Sequence, residues 1–322
     1  MIVFWIGFLV LVFGFLALDL GVFHRKDHVI GTKEALRWTG FWIGISLLFG
    51  VFIYFAYDQH WLGIGLKDGV TQTSGLKAAM DYLAGYVVEK SLSLDNIFVM
   101  AVIFQYLKIP RLYQHRVLFW GILGALVMRG SFIFAGAALL NHFSWMIYVF
   151  GAFLIFTALK MQFMDSEEQI DLNKNLVLKF AKKVFPLTHD FYGHRFFAVL
   201  ESGARAATPL FLALILIEST DLIFAMDSLP AIFAITLDPF LVFTSNIMAI
   251  LGLRSLYFAL AALIGHFRFL KKSLIIVLLF VGVKMILSHH IHIPAWLSLG
   301  VIFLSIALGI LFSILIPAKK EN

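Results

Sequence analysis

The stretch from 209 to 234, PLFLALILIESTDLIFAMDSLPAIFA, decides how this chain must be read. It is as long as a bilayer-spanning helix, which needs about 20 mostly apolar residues. Yet Glu218, Asp221 and Asp227 stand inside it. An acid at the centre of a membrane helix costs roughly 2.5–3.5 kcal/mol even on the most lenient insertion scale. Such groups persist where they face one another, a cation or water. The segment therefore predicts a membrane helix with a polar task.

Working outward, eight further apolar stretches run over 2–20, 38–57, 80–104, 117–140, 145–163, 241–265, 273–288 and 295–316. Together they predict an all-α, polytopic membrane helix bundle of about nine transmembrane helices, a single membrane domain over 1–322. Composition agrees, with 61% hydrophobic residues, 14% charged residues and a mean hydropathy of +0.94. The net charge of +6 does not predict a nucleic-acid partner, because the basic residues sit between apolar runs. There is no cysteine, which removes disulfides, dithiol redox chemistry and thiolate metal ligands together. The first run has no basic residue before it and no small-x-small cleavage site, so it is expected to stay as a span.

The loops predict an orientation. One alternate set carries Arg25, Lys26, Lys33 and Arg37; Lys108, Arg111 and Arg116; the basic residues between Lys160 and Arg205; and Arg268, Lys271 and Lys272, with Lys319 and Lys320 on the tail. The other set carries only Lys67 and Lys77. Lys and Arg concentrate on the cytoplasmic side of a membrane. The expectation is a periplasmic N-terminus, a cytoplasmic C-terminus and a cytoplasmic loop over 164–208. Within that loop Leu172, Leu176, Phe180 and Val184 form one apolar stripe, with Lys174, Lys179, Lys182 and Lys183 around it. The pattern suits a helix lying on an anionic leaflet or one packed under the bundle.

The 209–234 stretch has a counterpart. Glu89-Lys-Ser-Leu-Ser-Leu-Asp95-Asn matches Asp221-Leu-Ile-Phe-Ala-Met-Asp227-Ser: an acid, five residues, then Asp before a short polar side chain. Downstream, Arg129 answers Arg254, and Phe156-Thr-Ala-Leu-Lys160-Met answers Phe280-Val-Gly-Val-Lys284-Met. Repeat A covers 80–163 and repeat B 209–288. The loop charges give them opposite directions, so the repeats are inverted. Inverted repeats with midplane sites on interrupted helices are a signature of secondary transporters.

Candidate ligands follow from spacing. Glu218 and Asp221 share a helix face, with Ser228 on nearly the same stripe, and Glu89, Ser93 and Asn96 share another. Asp95 and Asp227 lie off those stripes and join a common site only if their helices unwind locally. Pro230 supplies a cause, since it cannot donate to the Met226 carbonyl. Carboxylate, amide, hydroxyl and carbonyl oxygens suit hard ions such as Mg²⁺, Ca²⁺ and Mn²⁺. Arg129, Arg254, Lys160 and Lys284 are expected to pair charges or gate, since a cation repels a cation. Lys90 is a further intramembrane cation able to neutralise an acid. His289, His290 and His292 form a cluster on the expected outer side, read as a solvated loop or a gathering point for a softer metal. No Walker lysine, Gly-rich phosphate loop or nucleophile elbow appears, which argues against an ATP-driven pump, an enzyme or an organic cofactor.

These motifs, together with Leu16-Ala-Leu-Asp-Leu-Gly-Val-Phe-His-Arg25, strongly resemble the TerC family over nearly the whole chain. The resemblance implies a place beside LysE-type exporters in the bacterial inner membrane. It also implies export of metal, above all manganese, and links to alkaline pH response and tellurite resistance. It carries the family's acidic motif onto Glu89, Asp95, Asn96, Asp221 and Asp227. Some members are described as redox modulators, a role for which this cysteine-free chain offers no thiol chemistry. The expected function is export of Mn²⁺ as transported substrate by alternating access, with protons from outside able to displace the metal. The competing expectation is a non-transporting sensor or scaffold subunit in pH response or tellurite resistance. Sequence alone leaves Mn²⁺ against Ca²⁺, the coupling stoichiometry and the oligomeric state open.

Overall fold

A computed structural model describes residues 2–21, 31–67, 70–71, 73–143, 145–163, 186–188, 190–199, 203, 205–260, 269–287 and 293–316. Ten α-helices account for most of them: α1 (Ile2–Gly21), α2 (Thr32–Asp58), α3 (Gly75–Tyr106), α4 (Arg111–His142), α5 (Met146–Phe163), α6 (Pro209–Phe233), α7 (Pro239–Leu251), α8 (Leu253–Leu260), α9 (Leu270–Leu287) and α10 (Ala295–Leu315). A short 3₁₀ helix (Trp61–Gly63) and two small antiparallel strand pairs complete the described elements, β1 (Leu66–Lys67) with β2 (Val70–Thr71) and β3 (Phe197–Val199) with β4 (Arg205–Ala207). The protein is a helical membrane protein, and a helix occupies each of the nine apolar stretches.

Five helices, α2, α4, α5, α6 and α10, are long and apolar enough to cross a membrane by composition, or six spans if the bent pair α7–α8 is one. That is fewer than nine, and charge explains part of the difference. Helix α3 carries Lys77, Asp81, Glu89, Lys90 and Asp95, while α9 carries Lys271, Lys272 and Lys284. The continuous span expected over 241–265 is also broken, with α7 and α8 meeting at Gly252 at 42°.

Helix α7 is the centre of the bundle. Every residue from Phe240 to Leu251 is buried, as suits a helix that is apolar almost all round. Its start is sharply specified: Pro239 takes the first helical position, and the Asp238 carboxylate accepts from the backbone N–H groups of Phe240 and Leu241. Helix α3 packs on both α6 and α7, and α4 packs on the same two. The most extensive pairing is α5 with α9. There Gly151 and Gly282 let the backbones touch: a side chain at either would come within 3.0 Å of the other's carbonyl. Small residues allow this approach in membrane interfaces. Gly151 also backs onto Ile286 as Gly282 backs onto Ile155, a register different from the one that matches Lys160 with Lys284. Outward-facing Leu48, Val51, Phe303 and Leu304 are exposed apolar side chains on the flanking helices α2 and α10.

Candidate functional site

The site forms where α3, α4, α6 and α7 meet. Glu89, fourteen residues into α3, and Asp221 on α6 are both buried, and Arg129 of α4 lies between them. Arg129 Nη2 donates to Asp221 Oδ1 at 2.7 Å and Nε donates to Oδ2 at 3.1 Å, a bidentate fork on one carboxylate. Its Nη1 donates to Glu89 Oε1. Two amides complete the network. Asn246 of α7 donates to Glu89 Oε2 at 3.2 Å and accepts from Arg129 Nη1 at 3.3 Å. Asn96 of α3 donates to Asp221 Oδ1 at 3.1 Å. All five side chains are nearly or fully buried, so the pairing acts in a low-dielectric interior where an unmatched charge is very costly.

Further buried oxygens lie on the same two helices, α3 and α6. Ser93 Oγ, Asn96 Oδ1 and Glu218 Oε2 are buried and make no hydrogen bond, while Ser228 faces the Glu89 carboxylate. Glu218 lies one turn before Asp221 on α6. Its carboxylate packs directly over Gly124 of α4, where any Cβ would collide with it. Gly124 therefore clears the volume that Glu218 occupies.

Of the expected site residues, the structure brings together Glu89, Asn96, Asp221 and Arg129. Ser228 is buried and Glu218 half-buried. Asp95 and Asp227 fall on α3 and α6, but their side chains lie outside the described residues. Among the described residues no three His, Asp or Glu side chains form a group able to hold a metal ion; the carboxylates of Glu89 and Asp221 hold a guanidinium instead. Neither α3 nor α6 unwinds at the motif, contrary to the local unwinding expected from Pro230. Helix α6 continues to Phe233, past the proline. Proline is tolerated in membrane helices where neighbouring groups satisfy the freed backbone.

The break falls instead at Gly252, where Lys90 Nζ donates to the Ala249 carbonyl at 2.9 Å. A cation at the carbonyl end of a helix is favourable. A Cβ at Gly252 would come within 3.1 Å of that ammonium, so the glycine leaves room for it. Arg254 is buried just beyond, in the first turn of α8. Lys160 is exposed in the last turn of α5, whereas Glu89, Asp221 and Arg129 of the network are buried. Lys284 reaches Asp81 electrostatically near the start of α3. The histidines at 289, 290 and 292 and the 172–185 stripe lie outside the described residues.

Asn246 was not anticipated, though an amide in the middle of the apolar run FLVFTSNIMAIL (240–251) was a visible signal. So were Asp81 and Asp238. Asp81 is buried beside Lys77, 3.8 Å away, and Asp238 accepts from Tyr57 Oη at 2.8 Å.

A multi-pass helical bundle with a fully buried Glu–Arg–Asp network defines an integral membrane protein with a polar centre. The profile of the integral membrane protein TerC family matches residues 74–321, and the chain belongs to that family. It is 48% identical over 298 residues to the Myxococcus xanthus membrane protein STKORF319, covering 92% of this chain and 88% of that one. It is 42% identical over 311 residues to a Rickettsia bellii membrane protein, covering 97% of each. With Salmonella typhi Alx, which carries the name of a membrane-bound redox modulator, identity is 41% over 300 residues, covering 93% of this chain and 90% of that one. Neither the family description nor these names places the chain among LysE-type exporters. No solved structure matches it.

Proposed function

We propose that this protein exports a divalent metal ion, manganese above all, across the bacterial inner membrane by alternating access. The observation that carries the reading is the oxygen set around Glu89 and Asp221. Glu218 Oε2, Asn96 Oδ1 and Ser93 Oγ are buried without hydrogen bonds, and Ser228 faces Glu89, on the helices that carry the two ionisable carboxylates. Buried polar atoms without a protein hydrogen bond take an ion or ordered water as partner. A hard divalent cation takes carboxylate, amide and hydroxyl oxygens, and Mn²⁺ is among the ions these ligands suit. Asp95 and Asp227, at equivalent positions of the two motifs, would add charge to the same site in a state of the transport cycle in which α3 and α6 unwind locally, which they do not here.

Alternating access needs two units that change sides together. The reading of 80–163 and 209–288 as inverted repeats draws support from the packing. Each repeat's first helix contacts both the first and second helices of the other, and the third helices meet glycine to glycine. The loop charges support a periplasmic N-terminus and a cytoplasmic C-terminus; reporter fusions placing 164–208 outside the cell would reverse it. The redox role in the relatives' name has no thiol here to carry it.

The test is manganese flux into inside-out membrane vesicles. Uptake by vesicles holding this protein, absent from vesicles with Glu89→Gln, supports export. No flux from well-inserted parent protein would favour the sensor or scaffold reading.

A further inference from the structure

The guanidinium of Arg129 sits where a transported cation would have to bind. It donates three N–H groups to the two buried carboxylates, two to Asp221 and one to Glu89. The geometry points to Arg129 as a tethered counter-cation: it fills the Glu89–Asp221 pair whenever metal is absent, so the cargo-free carrier changes sides without loading another ion. This rests on the export reading above.

The argument is one of charge. A carrier that has released its ion must return with its site empty, and two ionised carboxylates in a low-dielectric interior oppose that return unless a cation accompanies them. The cation can come from solution, as a proton or a second metal, or from the protein. Here the protein supplies it, in a form that stays charged at every physiological pH and whose fork matches a carboxylate. Asn96 and Asn246 soften the remaining negative charge by donating one amide N–H to each carboxylate.

A divalent ion and a guanidinium repel each other, so they cannot share these oxygens, and metal binding requires Arg129 to withdraw. Asn246 Oδ1 already accepts from Nη1 at 3.3 Å and offers that group a second hold on α7. Metal and Arg129 then alternate on one pair of acids. Protons, expected from carboxylate chemistry to displace the metal, become unnecessary for the return step.

The test uses the purified full chain in liposomes, with two readouts for each variant. Net manganese efflux into metal-free medium requires the cargo-free return. Tracer exchange with equal manganese on both sides does not. The parent is expected to perform both. Arg129→Gln should keep exchange while net efflux falls at least about tenfold, which a 1.4 kcal/mol rise in the return barrier produces. Arg129→Lys should recover part of it. Equal loss of exchange and net efflux in a properly inserted Arg129→Gln, or unchanged net efflux, overturns the proposal.

Should Arg129→Gln fail to insert, the parent alone decides. With the membrane potential clamped, net efflux should carry no obligatory proton in return, and a fixed number of protons imported per manganese overturns the proposal. A parent inert in both readouts condemns the export reading itself, an outcome distinct from failure of this one.

Discussion

Helices α3 and α7 each carry two polar levels eight residues apart, a rise of about 12 Å. At the central level stand Glu89 and Asn246; at the other stand Asp81 and Asp238. The central level is tightly matched, with fork hydrogen bonds between fully buried partners. The other level is looser. Asp81 has a carboxylate oxygen with no hydrogen bond, and its nearest cation, Lys77, is half exposed at 3.8 Å. Asp238 is committed to capping α7 and to Tyr57. An acid that caps a helix is fixed by the backbone and serves the fold. Two acids bridged by a side-chain cation offer a pair that another cation could take, as the proposed transport requires.

The largest expected effect comes from breaking the central bridge. Asp221→Asn should abolish manganese export. Because Arg129 loses a bidentate partner, it should also destabilise the protein by about 3–5 kcal/mol, the range for breaking a buried pair. Thermal unfolding in detergent reads the second effect; unchanged stability would mean that the bridge is not what the geometry implies.

Asp95→Asn and Asp227→Asn sharpen the contrast. They keep size and hydrogen bonding while removing charge, and they lower the burial penalty. Both should reach the membrane at parental levels and lose export. Normal export by both would take them out of the site.

Gly124→Ala tests the site without altering a charge. The added methyl occupies the volume of the Glu218 carboxylate. Export should drop roughly tenfold, with an overpacking cost of about 1–3 kcal/mol. Export at the parental rate would mean that Glu218 can move aside without consequence.

The smallest effects belong to the other level. Asp238→Ala should cost about 1 kcal/mol through the lost cap, while Asp238→Asn, also a good cap, should cost little. Neither should change manganese affinity; a change in either would make that level part of the proposed transport site.

Much of this was legible in the sequence. Membrane helices announce themselves by length and hydropathy, and intramembrane acids by their rarity, so the nine apolar stretches and the Glu89, Asp221 and Arg129 positions could be read directly. Contacts between distant helices could not. Asn246 became part of the site only through packing of α7 against α3 and α4, although its polarity in an apolar run was a hint. The break at Gly252 was hidden because glycine in a membrane helix is common and by itself does not mark a break. Lys90 holding the Ala249 carbonyl is the tertiary contact seen at that break. Pro230 misled for the opposite reason: one missing N–H frees a single carbonyl, and α6 stays helical around it. Lys160 and Lys284 looked equivalent by motif, yet one is exposed at a helix end and the other approaches Asp81.

The central claim is that Glu89 and Asp221 are metal ligands as well as partners of Arg129. Manganese titration of the purified protein, followed by electron paramagnetic resonance of the free ion, tests it most directly. The parent should bind manganese and quench the free-ion signal, and the Glu89→Gln, Asp221→Asn double variant, neutral on both sides of Arg129, should leave that signal intact. Undiminished binding by the folded double variant would contradict the account and return these acids to a purely structural role.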